Sequence, residues 1–433
     1  MLVGIILSRG IGLEIRGNQY YKYVILLVSF MILNCELPKL GNGCDPNSES
    51  FRDFYLARIL TDDDREFCGS RAPNKSICEM DPLSIIQPRR WKYVAEELKK
   101  QAALGTDGVS FQTFTQPATG LAKWLGGVLT NQELVYSLPY NRSDLLVIDP
   151  TQNSSTNVNT TSTGSAQWEG GVLAPNGKIY GIPRDSNQIL VINSITNESY
   201  FLTSPLIGVG KWRGGVLAPN GLIYAIPNSA SQILVIDPQT DLIRTIPSPV
   251  SLSNMWEGGV LAPNGKIYAF PVDIDSIFVL DPYSERTYTI PSPKTGLGKW
   301  RHAVVTSDGI LVGIPSNDSD FIFLDPSNDS VSLRTSPSGG TGKWRGGIFS
   351  ADGRIIAIPA DITDILAIDP VTFAYTTHNT GIGSGNKWGD GVLTPNGKIV
   401  AVPHTYDSIL TINTGSRGKI CKNLLLSSYW NVY

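Results

Sequence analysis

Seven tryptophans recur at a constant interval of 44 residues: Trp124, Trp168, Trp212, Trp256, Trp300, Trp344 and Trp388. Fifteen residues after each stands a proline: Pro139, Pro183, Pro227, Pro271, Pro315, Pro359 and Pro403. A period of this size means that the fold is assembled from copies of one unit, each unable to bury its apolar face alone. In the third copy Trp212-Arg213-Gly214-Gly215-Val216-Leu217 is followed by Pro219-Asn220-Gly221 and then Ile223-Tyr224-Ala225-Ile226-Pro227. Ile233-Leu234-Val235-Ile236 stops at Asp237-Pro238, and Leu242-Ile243-Arg244-Thr245-Ile246 completes the unit. Runs rich in Val, Ile, Tyr and Thr, bounded by Gly, Pro, Asn and Asp, are strands. Pro-Asn-Gly supplies a tight hairpin, because Asn and Gly tolerate positive φ, and Asp-Pro ends a strand because proline cannot donate to the ladder.

Four strands per repeat, seven times over, predict an all-β seven-bladed β-propeller spanning residues 108–416. Helical solenoids require a 3.6-residue period that these segments lack. The third strand is apolar on both faces, as expected of a sheet held between neighbouring sheets. Ring closure has two candidates. Val109-Ser110-Phe111-Gln112-Thr113 resembles the fourth strand Val331-Ser332-Leu333-Arg334-Thr335 and can complete the blade that starts at Trp388. The stretch Ile420-Cys421-Lys422, in a tail over 417–433, competes for the same place; the N-terminal strand is the favoured one, since joining the chain ends locks the ring.

The region before the repeats has a different composition. Lys22 precedes eleven uncharged residues, Tyr23 to Leu33, too few to span a bilayer and suited to the apolar core of a signal peptide over 1–34. Residues before about Gly17 make a long leading region and are read as an upstream start. Residues 35–107 form a cysteine-containing helical segment or linker, with apolar residues at helical spacing over 53–59 and 89–104. A net charge of −3 with 17% charged residues argues against a nucleic-acid partner.

Ile32-Leu33-Asn34-Cys35 resembles a lipobox, in which the cysteine becomes the lipidated first residue of a bacterial lipoprotein; Asn34 departs from the usual small residue, as in the relaxed lipoboxes of spirochaetes. Cys44-Asp45-Pro46-Asn47-Ser48, an aromatic segment, and then Phe67-Cys68-Gly69 are similar to the N-terminal regions of leptospiral surface lipoproteins over about 35 residues. That resemblance implies export, a membrane tether through Cys35 and placement at the bacterial outer membrane or cell surface, with the periplasmic face as the other option. If Cys35 carries lipid, Cys44, Cys68, Cys78 and Cys421 are an even set compatible with two disulfides in any of three connectivities. Metal binding by the four is the competing reading, but no Cys-x-x-Cys pair supports it.

The candidate binding residues sit at each repeat's start: Trp168 with Glu169, Trp212 with Arg213, Trp256 with Glu257, Trp300 with Arg301, and Trp344 with Arg345. Exposed, each pair could stack on a sugar and hydrogen-bond to it. Packed, each Trp wedges between sheets and the charges pair across blades. Two repeats break the Trp-x-Gly-Gly pattern, with His302-Ala303 in the fifth and Asp390-Gly391 in the seventh. A single catalytic site in a ring needs such broken symmetry, and a drifted repeat would look the same. His302 and Asp390 are the only candidates of this sort, and one whole blade lies between them around the ring. Asp273, Asp275, Asp318, Asp320, Asp361 and Asp364, with Asn317, follow the prolines without the spacing of a calcium loop. No metal or other cofactor is expected. Two function classes remain: an exported binding or scaffold protein for a protein or glycan partner, and an enzyme. The second strand, Asn-Gly-x-Ile-Tyr, resembles lactonase and lyase propellers, which implies a site on the axis.

Overall fold

The computed structural model describes residues 66–67, 70–71, 108–350 and 352–414. The expected signal peptide, the helical segments, Cys35 and the four disulfide candidates lie outside them. The chain divides into two units, residues 1–74 and 75–433. In the first, Glu66–Phe67 and Ser70–Arg71 pair as a short antiparallel hairpin. Among the described residues no helix is long and apolar enough to cross a membrane.

The second unit contains the propeller. Seven antiparallel four-stranded sheets follow one another, each with its strands in spatial order. Blade 3 is representative: Trp212–Leu217, Ile223–Pro227, Gln232–Asp237 and Leu242–Pro247. Blade 7 is built from both ends of the ring. Its first three strands, Trp388–Leu393, Lys398–Pro403 and Ser408–Asn413, are completed by Ser110–Thr115, with Phe111 opposite Ile412 and Thr113 opposite Leu410. The N-terminal strand therefore closes the ring, which leaves no blade with a missing edge.

The packing explains the repeat. All seven repeat tryptophans are at most 1% exposed, and each indole donates Nε1–H to a carbonyl 20 residues later. A bulky ring between sheets is thus buried with its one polar atom satisfied. The proline lies opposite the tryptophan across the first and second strands, as Trp212 opposite Pro227. Tyrosines of the second strand latch adjacent blades at the other end: the Tyr180 hydroxyl donates to Asp241 at 2.6 Å, and the Tyr268 hydroxyl to Asp329 at 3.0 Å.

The first strands of successive blades touch one another around the ring and so line the axis. Both glycines that follow Trp-x are required for this. At Gly126, φ is +78° and an added Cβ would lie 2.7 Å from Cα of Gly170 in the next blade. At Gly215, the second of the pair, a Cβ would meet Ile182 of the preceding blade at 2.7 Å. These constraints position everything found on the axis.

Candidate functional site

The residue after each tryptophan projects toward the mouth of the axis on the tryptophan side. Leu125, Glu169, Arg213, Glu257, Arg301, Arg345 and Gly389 hold this position. The five charged ones do not form separate pockets with their tryptophans, because the indoles are sealed between sheets. A ligand stacking on Trp168, Trp212, Trp256, Trp300 or Trp344 would have to prise neighbouring blades apart. Instead the charges converge in one network. Arg213 Nη1 reaches Glu257 Oε2 at 2.8 Å, and Arg301 Nη1 reaches the same oxygen at 2.9 Å. Arg345 crosses from blade 6 to Glu169 of blade 2 at 3.3 Å, on the far side of the ring, and lies 3.9 Å from Glu257.

A second ring, the residue after each repeat proline, adds to this mouth. It reads Tyr140, Arg184, Asn228, Val272, Ser316, Ala360 and His404. Arg184 Nε is 3.2 Å from Glu169 Oε2, and its guanidinium lies 5.5 Å from the centre of the Tyr140 ring. His404 packs edge-on to Tyr140 with its Nδ1 2.9 Å from the Trp124 carbonyl. A carbonyl only accepts, so Nδ1 carries the proton and Nε2 is the acceptor. Sequence alone does not mark His404, Tyr140 or Arg184 as site residues. The signal that would find them is the blade-to-blade variation after the prolines.

Electrostatics follow burial. Burial raises the Glu257 carboxyl, but the guanidiniums of Arg301, Arg213 and Arg345 outweigh it and hold the group well below its usual range. Burial pushes His404 down to about 4, so it is neutral at pH 7. The Tyr140 hydroxyl is raised, first by burial and then by Glu169.

Below this network lies a cavity of about 140 Å³ on the axis, walled largely by the paired glycines and extending to Leu129, Leu173 and Leu393. His302 and Asp390 line it. They are not kept apart by the intervening blade: His302 Nδ1 is 3.8 Å from Asp390 Oδ2. Blade 6 contributes Gly346 at that level, and a Cβ there would run into Asp390, so the gap is open only because no side chain fills it. Five glycines at this level have φ between +69° and +91°, and His302 adopts +58°. A histidine in the left-handed region is uncommon and costs energy. Asp390 has φ of +149° and its Oδ1 accepts the Gly391 N–H at 2.8 Å. Its carboxyl is raised by burial, against the lowering effect of His302. The two groups thus lie within ion-pair distance, though beyond hydrogen-bond distance, of each other in a small cavity.

No group of three or more His, Cys, Asp and Glu side chains among the described residues could hold a metal ion. The aspartates after the prolines act as latches: Asp273 accepts the Gly298 N–H at 2.7 Å, and Asp361 that of Asn386 at 2.6 Å. His378 lies on the fourth strand of blade 6, beside Thr376.

No family model matches the chain, and no curated protein matches it. Solved structures do. A streptogramin B lyase superposes with a TM-score of 0.62 at 12% identity, over 70% of this chain and 97% of that one. A catalytically inactive histidine-to-alanine variant of virginiamycin B lyase from Staphylococcus aureus, with quinupristin, gives 0.62 at 13% identity over 70% and 99%. The extracellular domain of a hybrid two-component system from B. thetaiotaomicron gives 0.57 at 9% identity over 72% and 44%. At these identities the likeness is one of fold, and the seven-bladed propeller is what this chain has in common with them.

Proposed function

We propose that this chain is an exported, lipid-tethered propeller of the bacterial envelope that binds a protein or glycan partner at the tryptophan-side mouth of its axis. One observation carries the choice of that mouth: charged and aromatic side chains that differ from blade to blade, Glu169, Arg184, Arg213, Glu257, Arg301, Arg345 and Tyr140, converge there from several blades into one network. Packing alone asks for the same residue in every blade, whereas recognition of one partner asks for different ones. The lipobox-like Ile32-Leu33-Asn34-Cys35 and the likeness to leptospiral surface lipoproteins support the tether and the outer-membrane or surface location.

The test has two arms. Palmitate labelling of cells expressing the wild type should be lost in Cys35→Ala, and protease added to intact cells should cut the wild-type protein. Labelled but protected protein would move the site to the periplasmic face, and absence of label would remove the tether. In the second arm, wild type and Arg301→Ala are screened against glycans and extracellular proteins; a panel in which no ligand distinguishes them would remove the mouth as the binding site.

The close approach of His302 and Asp390 favours a second reading, an enzyme of the lactonase or lyase kind with its site on the axis. His302 would take a proton from a substrate and Asp390 would stabilise the imidazolium. Two of the similar structures are lyases, which gives that reaction class as the first to assay. Turnover of a lactone or a cyclic ester that survives unchanged in His302→Gly would end this reading.

A further inference from the structure

We infer that the tryptophan-side mouth is a receptor for a carboxylate group carried by a sugar; this rests on the binding reading above and specifies its ligand. Depth separates the two signs of charge. The two acids of the network are sunk, with side chains 4% exposed at Glu169 and 1% at Glu257. The four guanidiniums lie above them, at 19% for Arg184, 14% for Arg213, 26% for Arg301 and 11% for Arg345. Solvent at this mouth therefore meets arginines, although the whole chain carries a net charge of −3.

The arginines also outnumber their partners. Four positive charges face two buried carboxylates, and among the described residues the further acid in contact is Asp185, 3.1 Å from Arg184. Asp185 keeps its charge while its other oxygen accepts the Gly210 N–H at 2.7 Å, so three carboxylates stand against four guanidiniums and one positive charge is in excess. Below, Asp390 faces His302 in the axial cavity. The Nε atoms of Arg184, Arg213 and Arg345 are turned inward, each within ion-pair distance of Glu169 or Glu257, and Glu169 Oε2 is likewise buried without a well-aligned hydrogen bond, so a ligand at the mouth would meet the outer Nη groups. Surplus guanidinium donors in a recessed, partly dry place call for an anionic acceptor, and a planar carboxylate fits their forked geometry. Tyr140, half-buried beside Arg184, adds an aromatic ring and a hydroxyl, the surface that a sugar uses and a phosphate ion does not.

The experiment is calorimetric titration of the full propeller protein with glucuronate, glucose and an N-acetylated aspartyl peptide. Glucuronate should bind about tenfold or more tightly than glucose, and more tightly than the peptide, with affinity falling several-fold as salt rises from low concentration to about 1 M. Arg301→Gln, at the most exposed of the four, should weaken glucuronate about tenfold while leaving glucose binding unchanged, with some loss of melting temperature because its pair with buried Glu257 is broken, and Arg184→Gln should do the same through Glu169. Equal binding of glucuronate and glucose, or binding insensitive to salt, would overturn the inference in the wild type without any variant. Preference for the peptide would overturn the sugar assignment. If glucuronate fails while a neutral glycan binds in an Arg301-dependent way, the carboxylate inference falls and the binding mouth stands.

Discussion

The seams between blades and the axis they surround are built from the same repeat, and they treat it in opposite ways. At the tryptophan end of the seams every blade does the same thing. All seven tryptophans are sealed and all seven make the same indole hydrogen bond. At the axis, positions one and two residues further along carry Leu, Glu, Arg or Gly, and Gly, His or Asp. Uniformity marks the residues that close the ring, and variation marks those placed for a single purpose.

A dispensable seam residue would undo this contrast. Trp300→Ala removes a fully buried ring and its hydrogen bond to the Asp320 carbonyl, and should cost about 3–5 kcal/mol in chemical denaturation. A loss below about 1 kcal/mol would mean that the tryptophan is not the wedge. Next in size is the axis acid most committed to structure. Glu257→Gln leaves Arg213, Arg301 and Arg345 around a neutral amide and should cost about 3 kcal/mol. Its folded pKa lies below the usual 4.5, so its contribution is present above that pH and is lost as pH falls. The wild-type melting temperature should therefore drop steeply below about pH 4.5, and less steeply in Glu257→Gln. Parallel pH profiles would show that the network adds nothing to stability.

A smaller seam effect is expected at the opposite end. Tyr180→Phe deletes a donor to the Asp241 carboxylate and should cost about 1.5 kcal/mol. Burial and Asp241 both raise the Tyr180 hydroxyl, so the latch persists through the alkaline range in which an ordinary tyrosine would ionise. Alkaline melting curves of wild type and Tyr180→Phe should keep their separation to about pH 10.

The seams are legible in the sequence because period and residue type suffice there. Trp and Pro at fixed spacing, with Pro-Asn-Gly turns and a spare strand at Ser110–Thr115, describe the ring and its closure. The axis is only half legible. Composition points to His302 and Asp390 as departures, but chain order places a blade between them, and a linear count cannot show that Gly346 leaves the space empty. Trp-Arg and Trp-Glu read as neighbours in sequence, yet strand alternation sends the indole into the seam and the charge onto the axis. Arg184 meets Glu169 across the first hairpin of its own blade, and Tyr140 joins them from the neighbouring blade, a proximity that arises only when the blades pack side by side.

The smallest expected effect decides what the axis is for. His302 occupies a left-handed backbone position that is glycine in five blades, and a non-glycine residue there costs of order 1 kcal/mol. His302→Gly should therefore stabilise the protein by about 1 kcal/mol, since the side chain lines a cavity and fills no seam. A loss of stability would show that contacts with Gly258 and Asp390 outweigh the strain, making the histidine part of the packing after all. A gain in stability with ligand binding and turnover unchanged is what drift of one repeat would produce. A gain accompanied by loss of turnover would mean that strain is retained at this position for chemistry, and the cavity would then replace the arginine mouth as the centre of function.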